Sequence, residues 1–149
     1  MPEATAIPLA NATAAILGGR QAIGVTVAND ADMAKAVERG FSVRTLDALR
    51  KHGVTEPEIG ALIIKPRTLS HRKAGKGRLT VEESDRAARV ARTIALAERT
   101  FADREKAHRW LHRNLASLDD RPPIDLIRTT TGTRLVEEIL AKIAWGVPA

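Results

Sequence analysis

Helix start and stop signals follow one another along most of this 149-residue chain, and no convincing strand pattern interrupts them. The clearest start is a capping box at Thr80–Glu83, in which the Thr80 hydroxyl and the Glu83 carboxylate accept hydrogen bonds from each other's free backbone N–H groups. A stripe of apolar residues at helical spacing follows it: Ala87, Val90, Ile94, Ala97 and Phe101. This pattern predicts a long helix to about residue 101 and an all-α fold.

Shorter helices are predicted on both sides of this long one. Asp30 or Asp32 is expected to cap a helix that ends at Gly40, and Thr133 is expected to cap the last helix of the chain. Residues 1–29 are rich in alanine, threonine and glycine, so they are predicted to be poorly ordered apart from one short helical turn around residues 12–17.

Composition excludes several classes of protein. The chain has no cysteine, so it has neither a disulfide framework nor a thiolate nucleophile or zinc ligand. No run approaches the 18 or so apolar residues that a membrane-spanning helix needs. The N-terminus carries Glu3 and no basic residue before Arg20, unlike a secretory signal. These features predict a cytoplasmic protein without a membrane partner.

The positive charge of the chain is concentrated in one stretch. Residues 41–79 hold 9 basic and 3 acidic side chains, and this excess equals the net charge of +6 for the whole chain. Residues 64–78 contain six basic side chains and no acidic one. A concentrated basic patch in an otherwise balanced protein indicates a polyanionic partner, most often nucleic acid, although a solvated basic surface is the simpler alternative.

The basic stretch coincides with a predicted helix–turn–helix between Thr55 and Lys73. Thr55 caps a first short helix, a tight turn follows near residues 63–65, and Pro66 begins a second short helix. Such a motif can place its second helix in a major groove, and an ordinary helical hairpin is the alternative. The side chains expected to reach bases or phosphates are Lys65, Arg67, Thr68, Ser70, His71, Arg72, Lys73, Lys76 and Arg78.

Nothing in the sequence favours an enzyme. His108 and His112 have a spacing that can chelate a metal, but Arg109 stands where a zinc protease needs glutamate and no third ligand lies nearby. The glycines at 75 and 77 lack the spacing of a phosphate-binding loop. We therefore expect no catalytic residue, metal or cofactor. Arg86, Arg89 and Arg99 lie off the apolar stripe of the long helix and are expected to face solvent.

The C-terminal tail has two interpretations. Trp145 follows an apolar helix that Gly146 and Pro148 cannot continue. Considered alone, a tryptophan at a chain end is more often a lid on the core than an anchor for a partner, although tryptophan is enriched at binding hot spots. Sequence physics therefore favours the lid.

Several segments in order resemble one known family. The run RTLSHRKAGKGRLTVEESDRAARVARTIALAERTF, from Arg67 to Phe101, resembles the centre of the Xre/MbcA/ParS antitoxins. The segments DREKAHRWL and RPPIDLIRTTTGTRLVEEIL resemble the later elements of that family, and AAILGG at 14–19 resembles its opening turn. The resemblance covers residues 14–149. Ile63 departs from it, because many members have glycine in that turn.

The resemblance implies a type II antitoxin with two working parts. Residues 30–79 would form an Xre-like helix–turn–helix bundle that represses the operon, and residues 80–149 a helical toxin-binding domain. The partner would be a RES-domain toxin that either degrades NAD or transfers its ADP-ribose. Family members insert their C-terminal end into the NAD pocket, which reverses the preference for the lid. On this chain the toxin-binding residues would be Arg128, Arg134, Trp145, Gly146, Val147, Pro148 and Ala149.

A different class of protein remains as the alternative. A stand-alone helix–turn–helix regulator would share the basic motif and use its C-terminal domain only to dimerise or to sense a ligand. A homodimer is expected in either case, because paired helix–turn–helix units match a two-fold operator. The antitoxin would further assemble with its toxin into a hetero-oligomer. A NAD-consuming toxin gene beside this one would separate the two hypotheses.

Overall fold

The computed structural model describes residues 7–146, and over this range the chain is helical. Among the described residues, β-type backbone pairing is limited to two isolated antiparallel bridges, Ser42–Arg78 and Leu115–Arg121, so the prediction of an all-α fold is confirmed for them. Within them, no helix has the length and apolar character needed to cross a bilayer. The helices are α1 (Leu9–Ile16), α2 (Gly19–Ile23), α3 (Asp30–Arg39), α4 (Arg44–Lys51), α5 (Glu56–Leu62), α6 (Pro66–Ala74), α7 (Val81–Phe101), α8 (Arg104–Leu111), α9 (Pro123–Leu126) and α10 (Thr130–Ala144), with a 3₁₀ turn at Ala116–Leu118.

The chain divides into two compact units. The first ends at Arg92 and the second begins at Thr93, so the division falls within α7. The boundary that the family resemblance implies, between residues 79 and 80, lies just before the start of α7 at Val81. Each unit has its own buried apolar residues, among them Phe41, Leu46 and Leu49 in the first and Val136 and Leu140 in the second.

The N-terminal segment differs from its predicted character. Where the sequence predicted poor order over 1–29, residues 9–23 form α1 and α2, and α1 contacts α2 and α3 while α2 contacts α4. Small side chains explain the difference, since Ala10 and Ala14 are buried without producing a wide apolar stripe in the sequence. Thr13 is buried as well, and its hydroxyl donates to the Leu9 carbonyl at 2.7 Å. Residues 1–6 lie outside the described range.

Two predicted helix caps are corrected. The residue that caps α3 is Asn29 rather than Asp30 or Asp32, because Asn29 is extended and its side chain accepts from the Asp32 N–H at 2.8 Å. Thr129 caps α10, and its hydroxyl accepts from the Gly132 N–H at 2.9 Å. Thr133, the predicted cap, is buried inside the helix and donates to the Thr129 carbonyl at 2.7 Å. The predicted cap at Thr55 and the predicted capping box at Thr80 are both present, and the cap at Thr55 also forms a capping box, with Glu58.

The segments that precede α4 and follow α6 lie side by side, so the stretch that contains the helix–turn–helix begins and ends at neighbouring positions in the first unit. The Leu79 N–H donates to the Phe41 carbonyl and the Val43 N–H donates to the Gly77 carbonyl, each at 2.8 Å. Gly40 has a φ of +83°, and a β-carbon there would lie 2.5 Å from the Leu79 carbonyl oxygen. Only glycine combines this backbone conformation with so close a neighbour.

The second unit depends on another close approach. Helix α9 contacts both α8 and α10, and the Phe101 and Trp110 rings lie 5.7 Å apart between centroids. Gly132 is in the first turn of α10, directly against the end of α9. A β-carbon at Gly132 would overlap the Leu126 carbonyl oxygen and lie 2.9 Å from the Leu126 carbonyl carbon. The missing side chain therefore permits the contact between α9 and α10.

Candidate functional site

The predicted helix–turn–helix is formed by α5 and α6. A capping box at Thr55 and Glu58 begins α5, with Pro57 in its first turn, and α6 begins at Pro66. Ile63 and Ile64 in the intervening turn are almost completely buried, which holds the turn against the rest of the first unit. Ile63 has a φ of −125°, so this turn does not require the glycine that many family members have there.

Most of the predicted DNA-binding side chains lie on the surface of α6 or beside it. Arg67, Ser70 and His71 share one face, because residues three and four apart on a helix are neighbours. Thr68 is half-buried. The exposed members of the predicted set are Lys65, Arg67, Ser70, His71, Lys73, Lys76 and Arg78. The structure therefore places exposed basic side chains on the second helix of the motif and beside it.

Arg72 differs from these residues because it is already paired within the protein. Its Nε lies 3.0 Å from Glu83 Oε1 and its Nη2 lies 3.1 Å from Glu83 Oε2, a two-point contact with a nearly buried carboxylate. Burial raises the pKa of Glu83, but hydrogen bonds from Arg72 and from the Thr80 backbone N–H outweigh it, so the pKa is lowered overall. Arg72 is therefore a structural residue of the motif, and its partner lies eleven residues along the chain, beyond the reach of local sequence patterns.

Arg78 also has a partner within the chain. Its Nη1 donates to the carbonyl oxygens of Arg39 and Gly40, at 3.0 and 3.1 Å. These bonds cover the bend at Gly40, although the Arg78 side chain is still exposed overall. One nitrogen of the Arg78 guanidinium is thus bonded within the protein, whereas the positive charge of Arg78 still adds to the basic surface.

Side chains at the start of α7 form hydrogen bonds with the helix–turn–helix and with the backbone segment that precedes α4. Ser84 is completely buried, and its Oγ accepts from the Phe41 N–H at 2.8 Å. Arg86 Nε donates to the Ile63 carbonyl at 2.8 Å, so the prediction that Arg86 faces solvent is wrong. Arg89 is half-buried and lies 3.4 Å from Asp85, whereas Arg99 is exposed as predicted. We call Glu83, Ser84 and Arg86 the anchor residues of α7.

The ionised Glu83 carboxylate should make the stability of the first unit depend on pH. Because the pKa of Glu83 is lowered in the folded protein, its stabilising effect is present above the unfolded pKa of about 4.3 and is lost as the pH falls through the folded value. We expect Glu83→Gln to lower the melting temperature at pH 7 and to reduce its fall between pH 5 and pH 3. Thermal unfolding measured across this range tests the prediction. An unchanged fall in the variant would contradict it.

The C-terminal end of the second unit is prominently exposed. Trp145 follows the last turn of α10 and is 86% exposed, so it does not serve as a lid on the core. Its backbone N–H nevertheless donates to the Ala141 carbonyl at 3.1 Å, which holds the residue to the helix end. Arg128, Arg134 and Gly146 are exposed too. The predicted toxin-binding residues Val147, Pro148 and Ala149 lie outside the described residues.

The two histidines considered as metal ligands, His108 and His112, contact each other and the backbone of their own helix. In the part of the chain that the structure describes, no group of three or more histidine or carboxylate side chains is placed to hold a metal ion. The His108 and His112 rings lie 4.2 Å apart between centroids, and His112 Nδ1 is 2.7 Å from the His108 carbonyl oxygen.

Comparison with known proteins assigns both parts of the chain. Residues 32–92 match the antitoxin Xre-like helix-turn-helix domain, and residues 96–146 match the antitoxin Xre/MbcA/ParS C-terminal toxin-binding domain. A helix–turn–helix domain followed by a toxin-binding domain defines the class of two-domain antitoxins.

Two individual relatives agree with this class of protein. Antitoxin Xre of Pseudomonas putida is 37% identical over 120 residues, which are 80% of this chain and 76% of the relative. Antitoxin Xre of Yersinia enterocolitica is 31% identical over 128 residues, which are 84% of this chain and 86% of the relative. The chain belongs to the Xre antitoxin family.

Proposed function

We propose that this antitoxin neutralises a RES-domain, NAD-consuming toxin by placing its C-terminal end in the toxin's active site. The observation that carries the proposal is the 86% exposure of Trp145 at the end of α10, where a large apolar side chain is available to a partner. A short end held on a helix can enter a pocket with little loss of conformational entropy. Exposed Arg128 and Arg134 are proposed to contact the toxin beside the tail. The antitoxin acts by binding, without turnover of its own.

The experiment that tests this mechanism is NAD consumption by a RES-domain toxin whose gene lies beside this one. The toxin is titrated with the full chain and with a chain that ends at residue 144. We expect the full chain to inhibit near one-to-one and the truncated chain to bind without inhibiting. Equal inhibition by both would place the block elsewhere on the interface. If neither chain binds the toxin, the stand-alone regulator becomes the better hypothesis.

We also propose that the protein represses its own operon as a homodimer in the cytoplasm, where it assembles with the toxin into a hetero-oligomer. The exposed basic surface of α6 supports the DNA-binding part of this proposal, because phosphate contacts supply much of the affinity of such proteins. Light scattering of the purified protein, alone and with toxin, measures the two assemblies.

Removing exposed charge from the motif should weaken DNA binding. We expect the triple variant Lys65→Ala, Arg67→Ala and Lys73→Ala to lower operator affinity and to flatten its salt dependence by about one unit of slope per lost phosphate contact. All three side chains are exposed, so the fold should be unaffected. Fluorescence anisotropy at several salt concentrations measures the slope, and toxin inhibition should be unchanged.

A matched triple variant controls for charge alone. Lys106, Arg109 and Arg113 are equally exposed but lie on or next to α8 in the second unit. Their replacement by alanine removes the same charge, and we expect the salt slope to stay near the wild-type value. If both triple variants flatten the slope equally, DNA is attracted by diffuse charge and α6 has no special role.

A further inference from the structure

Helix α6 has few apolar contacts of its own with which to hold an orientation. Over its nine residues only Leu69 is buried. Its first residue follows Lys65, which makes no side-chain hydrogen bond to cap the helix. The remaining side chains are mostly exposed, as a DNA-facing surface requires. The orientation of α6 must therefore depend on contacts from other elements.

The anchor residues of α7 supply these contacts. Glu83 holds Arg72 in the last turn of α6 through two hydrogen bonds, at 3.0 and 3.1 Å. Arg86 donates to the carbonyl oxygen of Ile63, in the turn that precedes α6. Polar links thus reach both the turn before the helix and its last turn, and all come from the first two turns of α7.

The same carboxylate is itself held in place by its own helix start. Glu83 Oε1 accepts from the Thr80 N–H at 2.9 Å, and the Glu83 N–H donates to Thr80 Oγ1 at 3.1 Å. Ser84, the next residue, is fixed to the Phe41 backbone at 2.8 Å. The capping box therefore does more than begin a helix, because it orients the acceptor that receives Arg72.

We propose that Glu83 and Arg86 are positioning residues for DNA recognition, which hold α6 and its preceding turn in the orientation that a groove requires without touching DNA themselves. This inference rests on the proposed DNA binding. Discrimination between bases needs side chains placed to within about 0.5 Å, whereas attraction to phosphates tolerates much looser geometry. Loss of the contacts made by Glu83 and Arg86 should therefore reduce discrimination between DNA sequences more than it reduces overall affinity for DNA.

The expected sign of the effect separates this role from a simple charge effect. An acidic residue that merely lies near DNA repels it, so its neutralisation raises affinity for every sequence. Neutralising Glu83 with glutamine also removes the second acceptor and the charge that hold Arg72, so its guanidinium becomes more available to phosphates. A positioning role predicts that non-specific affinity is kept or raised while preference for the specific sequence falls.

The test compares Glu83→Gln with Glu82→Gln in the full chain. Glutamine at 83 keeps an acceptor for the Thr80 N–H but loses the ion pair, and Glu82 is an exposed neighbour of equal charge. The probes are the duplex that the wild-type chain selects from a randomised pool and a scrambled duplex of equal length. We expect Glu83→Gln to reduce discrimination between them by about tenfold and Glu82→Gln to change it by less than about twofold. Equal effects of the two variants would overturn the proposal.

Amide hydrogen exchange and a second variant, Arg72→Lys, complete the test. Amide hydrogen exchange of residues 66–74 should accelerate in Glu83→Gln and not in Glu82→Gln, because the ion pair is lost only in the former. Unchanged exchange would overturn the anchor even where discrimination falls. If Glu83→Gln unfolds, Arg72→Lys, which keeps the charge without the two-point contact, takes its place. A wild-type chain that selects no sequence refutes DNA recognition, and with it the positioning role, whatever the exchange result.

Discussion

Replacing Trp145 with alanine is expected to weaken inhibition of the toxin by about 30-fold or more, which corresponds to the roughly 2 kcal/mol that defines a binding hot spot. The reason is the position of this side chain, which is 86% exposed at the end of α10 and makes little contribution to folding. The melting temperature should therefore stay within a few degrees of the wild-type value. Inhibition constants from the NAD-consumption assay measure the effect.

A second exposed apolar residue provides the control for this substitution. Val81 is 45% exposed at the start of α7, and Val81→Ala removes apolar surface remote in sequence from the tail. We expect this variant to inhibit as well as the wild-type chain. Full inhibition by Trp145→Ala would refute the role of the tail residue, whereas loss of inhibition with a large drop in melting temperature would indicate a structural role.

Replacing Gly132 with alanine is expected to destabilise the second unit by about 3 kcal/mol, in the upper range for an overpacked site. The new β-carbon would overlap the Leu126 carbonyl oxygen, and both partners belong to backbone that cannot rotate away as a side chain does. Helices α9 and α10 must then separate. Denaturant unfolding followed by circular dichroism measures the loss, and inhibition of the toxin should fall with it.

Gly60 offers a matched control within another helix. It lies inside α5, and a β-carbon there would meet its nearest neighbour, Pro66 Cδ, at an ordinary 3.6 Å. Because alanine has the higher helix propensity, Gly60→Ala should stabilise the protein by up to about 1 kcal/mol. Similar destabilisation by both substitutions would show that the close contact at Gly132 is not the cause.

Features of the fold that depend on neighbouring residues were predictable from the sequence. The capping box at Thr80 and Glu83 and the cap at Thr55 involve residues three apart, so their hydrogen bonds follow from local spacing. The caps of α3 and α10 were misplaced by one to four residues because several capping side chains compete within one turn. Asn29 and Thr129 are selected by their extended backbone, which spacing does not reveal.

The pairing of charged residues was not predictable in the same way. The basic stretch correctly indicated an exposed basic helix, but the sequence did not distinguish Arg72 from Arg67 or Lys73. The partner of Arg72 is eleven residues away, and that of Arg86 is the carbonyl of a residue twenty-three positions earlier. Such contacts depend on how the helices pack. The exposure of Trp145 likewise depends on packing, which is why sequence physics alone favoured a lid.

The bridge between Ser42 and Arg78 bears on how much of the first unit can change without loss of the fold. It joins the two ends of the stretch that contains α4, α5 and α6, and the flanking backbone bonds at 2.8 Å hold those ends together. The stretch from 41 to 79 also carries the whole positive excess of the chain. The two ends of this stretch therefore lie side by side, while Arg72 and the Ile63 carbonyl within it bond to side chains of α7. We therefore expect substitutions on its exposed surface to alter the proposed DNA contacts while leaving unchanged residues 96–146, which match the toxin-binding domain.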